Sequence, residues 1–245
     1  VAVTDSIGAA DGVIVGSGGV WTGTALSLPG GDGVAADAAY VDLPNGLISG
    51  LDHLTFEAWY TVKTVNNWGR VWDFGSSAVG EVFSGGTAAS EGLDYFIFAP
   101  NRGTDLNTQR FSVKNNDALA PGGGTGTVSG VEEAVDANLL SLVDQEYHVI
   151  GVWTSDGRGG GQTVFYRDGV REGSRTTSFT PRSLNDINNW LGRSNFTGDG
   201  YLNGELNEFR IYEGAMNDLA AADSFAAGPD AAPGLGTLEI TAINY

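Results

Sequence analysis

The chain has 245 residues, 41% of them hydrophobic, with 38 Gly, 7 Pro and no Cys. This is enough to bury the core of one all-β domain, and glycine at this level without a collagen-like period points to tight turns and bulges. Twelve basic residues against 30 acidic ones give a net charge of −18, which argues against nucleic acid or an anionic membrane as partner. The lack of Cys excludes disulfides and thiolate-bound metals.

The first twenty residues are small and Gly-rich, with turn signals at Asp5-Ser6-Ile7-Gly8 and Asp11-Gly12. Short period-2 runs follow at 24–28 and 39–43. Leu54–Val62 alternates cleanly, with Leu54, Phe56, Ala58, Tyr60 and Val62 on one face and Thr55, Glu57, Trp59 and Thr61 on the other. Strands are predicted at Arg70–Gly75, Tyr95–Ala99 and Gln109–Val113, and an exposed loop at 121–130. Glu146–Thr154 is a longer strand, Asp156–Gly161 turns the chain, and Thr163–Arg167 with Val170–Gly173 form a hairpin about Asp168-Gly169. Asn189–Ser194 and Leu202–Tyr212 read as two more strands joined by a loop. One short helix is expected, capped by Asn217, propagated from Leu219 to Ala226 and stopped by Gly228-Pro229. Residues 229–236 read as a linker and 237–245 as an extra terminal strand, either opening a next module or donated to a neighbour. Short strands with almost no helical period predict an all-β, two-sheet antiparallel sandwich.

Three segments carry a family resemblance. They are Phe56-Glu57-Ala58-Trp59; Glu146-Tyr147-His148-Val149 with Phe165-Tyr166-Arg167-Asp168-Gly169-Val170; and Asn207-Glu208-Phe209-Arg210-Ile211-Tyr212. In this order they resemble the laminin-G-like, concanavalin A-like jelly rolls of exported bacterial proteins, over about residues 5–228. The resemblance implies a jelly-roll sandwich with curved sheets, set in a secreted or cell-surface protein as a glycan-binding or adhesive module. Fold analogy of this kind is only associational evidence for function. Family members usually begin with one further strand, which lies near the strand carrying Arg210-Ile211-Tyr212. This chain starts after it, and its loss would expose a strand edge there. The chain also begins at Val1 with no leader-like segment, so it is expected to be a mature or trimmed piece of an exported protein.

The resemblance also implies one Ca²⁺, held by oxygen ligands at Asp5, Asp11, Asn207 and Glu208; Asn207 stands where the family usually has Asp. The alternative is that Asp5 and Asp11 only form turns and Glu208 is a surface carboxylate. Sugar rings stack on aromatic faces, so Trp68, Trp190 and Tyr201 are the candidate ligand-binding residues: both Trp follow Asn pairs. Trp59, Trp72 and Trp153 read as core. No catalytic residues are assigned. Glycosidases on this fold project two carboxylates ~5–5.5 Å apart from one strand face. The nearest pair, Glu205 and Glu208, is odd-spaced and would point to opposite faces of a regular strand. His148 reads as structural, and Gly159-Gly160-Gly161 is no phosphate loop because no helix with Lys follows.

The function expected is a non-catalytic extracellular binding or adhesion module for polysaccharide or cell-surface glycan, stabilised by Ca²⁺. One alternative is a structural subunit linked through strand exchange by residues 237–245. The other is a polysaccharide-degrading enzyme.

Overall fold

The computed structural model describes residues 2–33, 38–78, 80, 92–115 and 131–231, and the backbone of 240–243. The Gly-rich 121–130 segment, most of the 229–236 linker and the ends of the terminal strand fall outside these residues.

The described residues form sixteen strands and one α-helix. In chain order they are β1 (Ala2–Val3), β2 (Gly12–Val15), β3 (Val20–Trp21), β4 (Leu26–Gly31), β5 (Tyr40–Leu43), β6 (His53–Thr64), β7 (Trp72–Ser77) and β8 (Gly92–Ala99). There follow β9 (Gln109–Lys114), β10 (Glu133–Ala137), β11 (Glu146–Ser155), β12 (Gly161–Arg167), β13 (Val170–Thr177), β14 (Asn188–Leu191), β15 (Tyr201–Glu213), α1 (Asp218–Ala227) and β16 (Ile240–Ile243). The first sheet runs β1-β2-β5-β14-β7-β8-β9-β10. The second runs β13-β12-β11-β6-β15-β4-β3, with β16 also paired to β15. All pairings between these strands are antiparallel. This is the two-sheet jelly roll expected from the sequence. β10 was not legible there, because Glu133–Ala137 is short and mixes charge with small residues.

The core lies between the sheets. The second sheet turns Leu54, Phe56, Ala58, Tyr60 and Val62 inward, as the alternation of β6 predicts, and the first turns Trp72, Phe74, Phe96, Phe98 and Phe111 towards them. Phe56 sits at the centre, edge-on to Phe74 and Phe96 with ring centroids 4.6 and 4.7 Å away. Such pairs add about 0.5–1.5 kcal/mol to the burial itself. Gly151 on β11 makes room for this packing: a Cβ there would lie 2.5 Å from the Phe111 ring.

β15 contains a bulge. Its register against β6 shifts between Leu206 and Glu208, so that Leu206 and Phe209 both reach the core. An extra residue resets the period-2 pattern. Glu205 and Glu208 therefore share the outer face, which corrects the odd-spacing argument made on the sequence. They are engaged separately, Glu205 with Lys63 at 3.3 Å and Glu208 with Arg210 at 3.6 Å.

The helix begins where expected, with the Asn217 side chain accepting a hydrogen bond from Ala220 N at 2.9 Å. It closes over the outer face of the second sheet. Phe225 stacks on Trp59 at 5.7 Å, and Ala221 and Met216 pack with Ile150, Val152, Val164, Tyr166 and Tyr212. Trp59 is thus buried on the outside of its sheet, not in the central core.

β16 pairs with Phe209–Tyr212, and β4 pairs with Tyr201–Leu206 farther along the same edge of β15. The edge expected to be bare at Arg210-Ile211-Tyr212 is covered by backbone from the chain's own tail.

Candidate functional site

The outer face of the first sheet holds a cleft of about 180 Å³, lined by Trp68, Arg70, Tyr95, Ile97, Arg110, Glu132, Phe196 and Asp199. Strand alternation builds its floor. Phe96, Phe98, Phe111 and Val113 point to the core, so Tyr95, Ile97, Arg110 and Ser112 point out. Trp68 forms one wall from the turn between β6 and β7. Its φ is 54°, in the left-handed region that a bulky side chain rarely occupies. The turn is held by several contacts. Trp68 N donates to Gly103 O at 2.9 Å, Gly69 N to Asn66 O at 3.1 Å, and Asn101 Nδ2 to Asn66 O at 2.9 Å. Strain of this kind costs of order 1–3 kcal/mol and persists where the surroundings over-determine it, often at ligand sites.

The opposite wall is the loop 194–199, tied down by Asp73. This buried carboxylate accepts from Asn195 N at 2.9 Å and Asn195 Nδ2 at 2.7 Å, and Ser194 Oγ lies within 3.3 Å. Burial pushes Asp73 up to about 6, against the pull of Arg70 and Asn195. Asp199 is also raised by burial. Arg70 bridges the walls, with Nη2 donating to Asp199 at 2.8 Å and Nη1 to Trp68 O at 2.7 Å. Its guanidinium carbon and that of Arg110 lie 5.2 and 5.5 Å from the Trp68 ring centre.

A second polar cluster lies on the outer face of the other sheet, under α1. Glu57 accepts hydrogen bonds from His148 Nε2 at 2.7 Å, Arg210 Nη1 at 3.1 Å, Tyr212 Oη and Ser224 Oγ. Burial alone would raise its carboxyl, but the His148 hydrogen bond and the charges of His148 and Arg210 outweigh that and bring it down to about 2. Glu208 is pushed up to about 7 by burial, against the pull of Arg210. Every member is sealed from solvent, so the cluster can hold the helix but cannot meet a substrate.

Of the three aromatic residues singled out on the sequence, only Trp68 reaches the cleft. Trp190 and Tyr201 are 2% and 3% exposed and pack with Ala38 and Tyr40. The Arg193 guanidinium covers the Trp190 ring at 4.0 Å, and Trp190 Nε1 donates to Asp42 at 3.0 Å. This corrects their expected stacking role: their faces are already in contact with protein. Arg70, Tyr95, Arg110, Glu132, Phe196 and Asp199 were not anticipated. The alternation of β8 and β9 could have marked Tyr95 and Arg110, but nothing in the sequence places 194–199 above them.

The four expected calcium ligands do not converge. Asp5 and Asp11 organise the β1–β2 connection, where the Asp5 carboxylate accepts from Ile7 N, Gly8 N and Ala10 N, and Asp11 accepts from Asp5 N. Asn207 donates to Glu146 at 2.8 Å and Glu208 turns to Arg210, both on the other sheet. Among the described residues no three acidic or histidine side chains form a metal cluster. The donors named are thus already used within the protein, and they do not fit a Ca²⁺ site.

A family sequence model for the concanavalin A-like lectin/glucanase superfamily matches residues 35–220. The chain belongs to this superfamily. Its three-dimensional relatives include domain 4 of an extracellular GH43 arabinanase from Geobacillus stearothermophilus, solved with arabinotriose (18% identity, 86% of each chain covered, TM-score 0.56). Another is the CBM40 of a Ruminococcus gnavus IT-sialidase, solved with α2,3-sialyllactose (12% identity, 84% of this chain and 98% of that one, TM-score 0.55). A third is the binding domain of botulinum neurotoxin DC, solved with rat synaptotagmin II (11% identity, 92% of this chain and 50% of that one, TM-score 0.54). At these identities the likeness is one of fold. No curated protein matches the chain. No helix among the described residues is long and apolar enough to cross a membrane.

Proposed function

We propose that this chain is a non-catalytic carbohydrate-binding module of an extracellular or cell-surface protein, and that it takes a sugar residue in the Trp68 cleft. The observation that carries this is Trp68 itself. A Trp held in left-handed backbone, partly exposed at the rim of a cleft rich in Arg and carboxylate groups, has no role in the core that would explain the strain. The relatives solved with arabinotriose and sialyllactose support the reading at the level of fold. A ring face would lie on aromatic surface while hydroxyls meet Glu132 and Asp199. The carboxylates of the cleft are bound to arginine, which favours binding over hydrolysis. Glycan-array screening followed by calorimetry, with Trp68→Ala alongside, tests it: the variant should stay folded and lose the signal.

The pairing of β16 with β15 favours a second reading, in which the same strand is supplied by a neighbouring copy. Size-exclusion chromatography with residues 230–245 deleted decides this, since an unchanged oligomeric state removes strand exchange. Calcium binding is a separate proposal resting on the acidic composition. Calorimetry with Ca²⁺ showing neither heat nor a melting shift would end it.

A further inference from the structure

Two arginines in a sugar-sized cleft invite an acidic ligand, yet neither guanidinium has its charge free. Arg110 donates from Nε and Nη2 to the two oxygens of Asp136, each at 2.7 Å, and from Nη1 to Glu132 at 2.8 Å. Arg70 is bound to Asp199 and to the Trp68 carbonyl, with Asp73 3.7 Å from its Nε. The Arg110–Asp136 pair is bidentate, the strong kind, and both terminal nitrogens of Arg70 already donate within the protein, so neither guanidinium meets a ligand carboxylate unoccupied. The third cation beside the cleft is Lys114, whose Nζ lies 5.7 Å from the centre of the Tyr95 ring. Arg102 is the fourth, its Nε 3.7 Å from Asp136, so the four carboxylates Asp73, Glu132, Asp136 and Asp199 balance four cations and leave no positive charge in surplus, on a chain of net charge −18.

Building on the carbohydrate reading above, we propose that this cleft selects neutral sugars and rejects those bearing a carboxylate, such as uronic or sialic acids. An acidic sugar would have to displace an internal carboxylate from its arginine or lie uncompensated among like charges in a partly desolvated site. Hydroxyls meet no such barrier. Each ionised carboxylate offers about four acceptor positions. Glu132 uses some on Arg110 and Ser112, and Asp199 some on Arg70 and Ser194. Those left over suit hydroxyl donors. The arginines then act as positioning residues, holding Glu132 and Asp199 at the rim and lying against the Trp68 ring.

The test is an array carrying neutral oligosaccharides beside their sialylated or uronic-acid counterparts, with hits measured by calorimetry at neutral pH. Lactose with sialyllactose, and arabinotriose, serve as defined probes. Neutral members should bind at least about tenfold more tightly than their acidic counterparts. Glu132→Gln and Asp136→Asn, each checked for an unchanged melting curve, should narrow that ratio by freeing Arg110. Acidic members binding as well as neutral ones, with the signal lost in Trp68→Ala, would overturn the charge selectivity and leave the glycan cleft standing. No binding by any member, or binding indifferent to Trp68→Ala, overturns both readings. The wild-type ratio decides the proposal even where a variant fails to fold.

Discussion

On the outer face of the second sheet one carboxylate, Glu57, gathers His148, Arg210, Tyr212 and Ser224 beneath α1. On the outer face of the first, Arg70 and Arg110 lie among four carboxylates beside Trp68, and no helix among the described residues covers them. Glu57, His148, Arg210 and Tyr212 in one network, and Asp73, Arg110 and Asp136 in the other, alternate with core residues along their strands; the remaining members come from loops and α1. Cover separates them. Under the helix, every group must find a partner inside the protein, and the result is a fastener. Without it, carboxylates keep unused acceptors beside a partly exposed aromatic ring, and the result is a candidate site.

The comparison breaks most visibly at Glu57. Glu57→Ala leaves Arg210 and His148 without their acceptor in a sealed space, and the cost should be about 3–5 kcal/mol in urea unfolding. A loss below ~1 kcal/mol would mean that water enters beneath α1 and that the two faces differ less than their burial indicates.

Next is the pH dependence of Glu208. Its folded-state value of about 7 lies above the ordinary 4.5, so the folded chain binds more protons than the unfolded one between these values. Stability must therefore fall as pH rises from 4.5 to 7, by on the order of 2 kcal/mol, with Asp73 adding in the same sense up to about 6. Glu57 acts oppositely: its contribution is present above 4.5 and is lost as pH falls towards 2. Thermal melts across this range should show the decline, and Glu208→Gln should flatten it.

On the open face, Trp68→Asn sharpens the contrast. Asn tolerates left-handed backbone, so the melting temperature should stay within about 2 °C, while affinity for a bound glycan should fall by at least about tenfold. A matching loss of stability would make Trp68 a structural residue. The smallest effect is expected at Lys63, half-exposed on the second sheet and paired with Asp144 and Glu205 at 3.3 Å each. Lys63→Ala should change stability by less than about 0.5 kcal/mol, because solvent screens what α1 does not shield.

The fold was legible because its signals are local. The alternation of Leu54–Val62, the Asp168-Gly169 hairpin turn and the Asn217 cap each act within a few residues. The bulge at Asn207 was hidden, since it shows only when β15 is laid against β6. Trp190 and Tyr201 misled for a similar reason. Asn beside an aromatic ring describes both a sugar platform and a buried ring with hydrogen-bonding neighbours, and the packing of Arg193, just past the end of β14, decides between them.

The sequence by itself determined the class of fold, the helix α1, the core face of β6 and one rim residue of the candidate site, Trp68. Only the tertiary structure decided which outer face is open, that Glu57 and Arg210 pair across strands 153 residues apart, and that Asp199 stands opposite Trp68. The physical reason is that strand periodicity fixes which way a side chain points but not what lies beyond it. Burial, charge compensation and access come from segments distant in the chain, and those are what separate a fastener from a binding site.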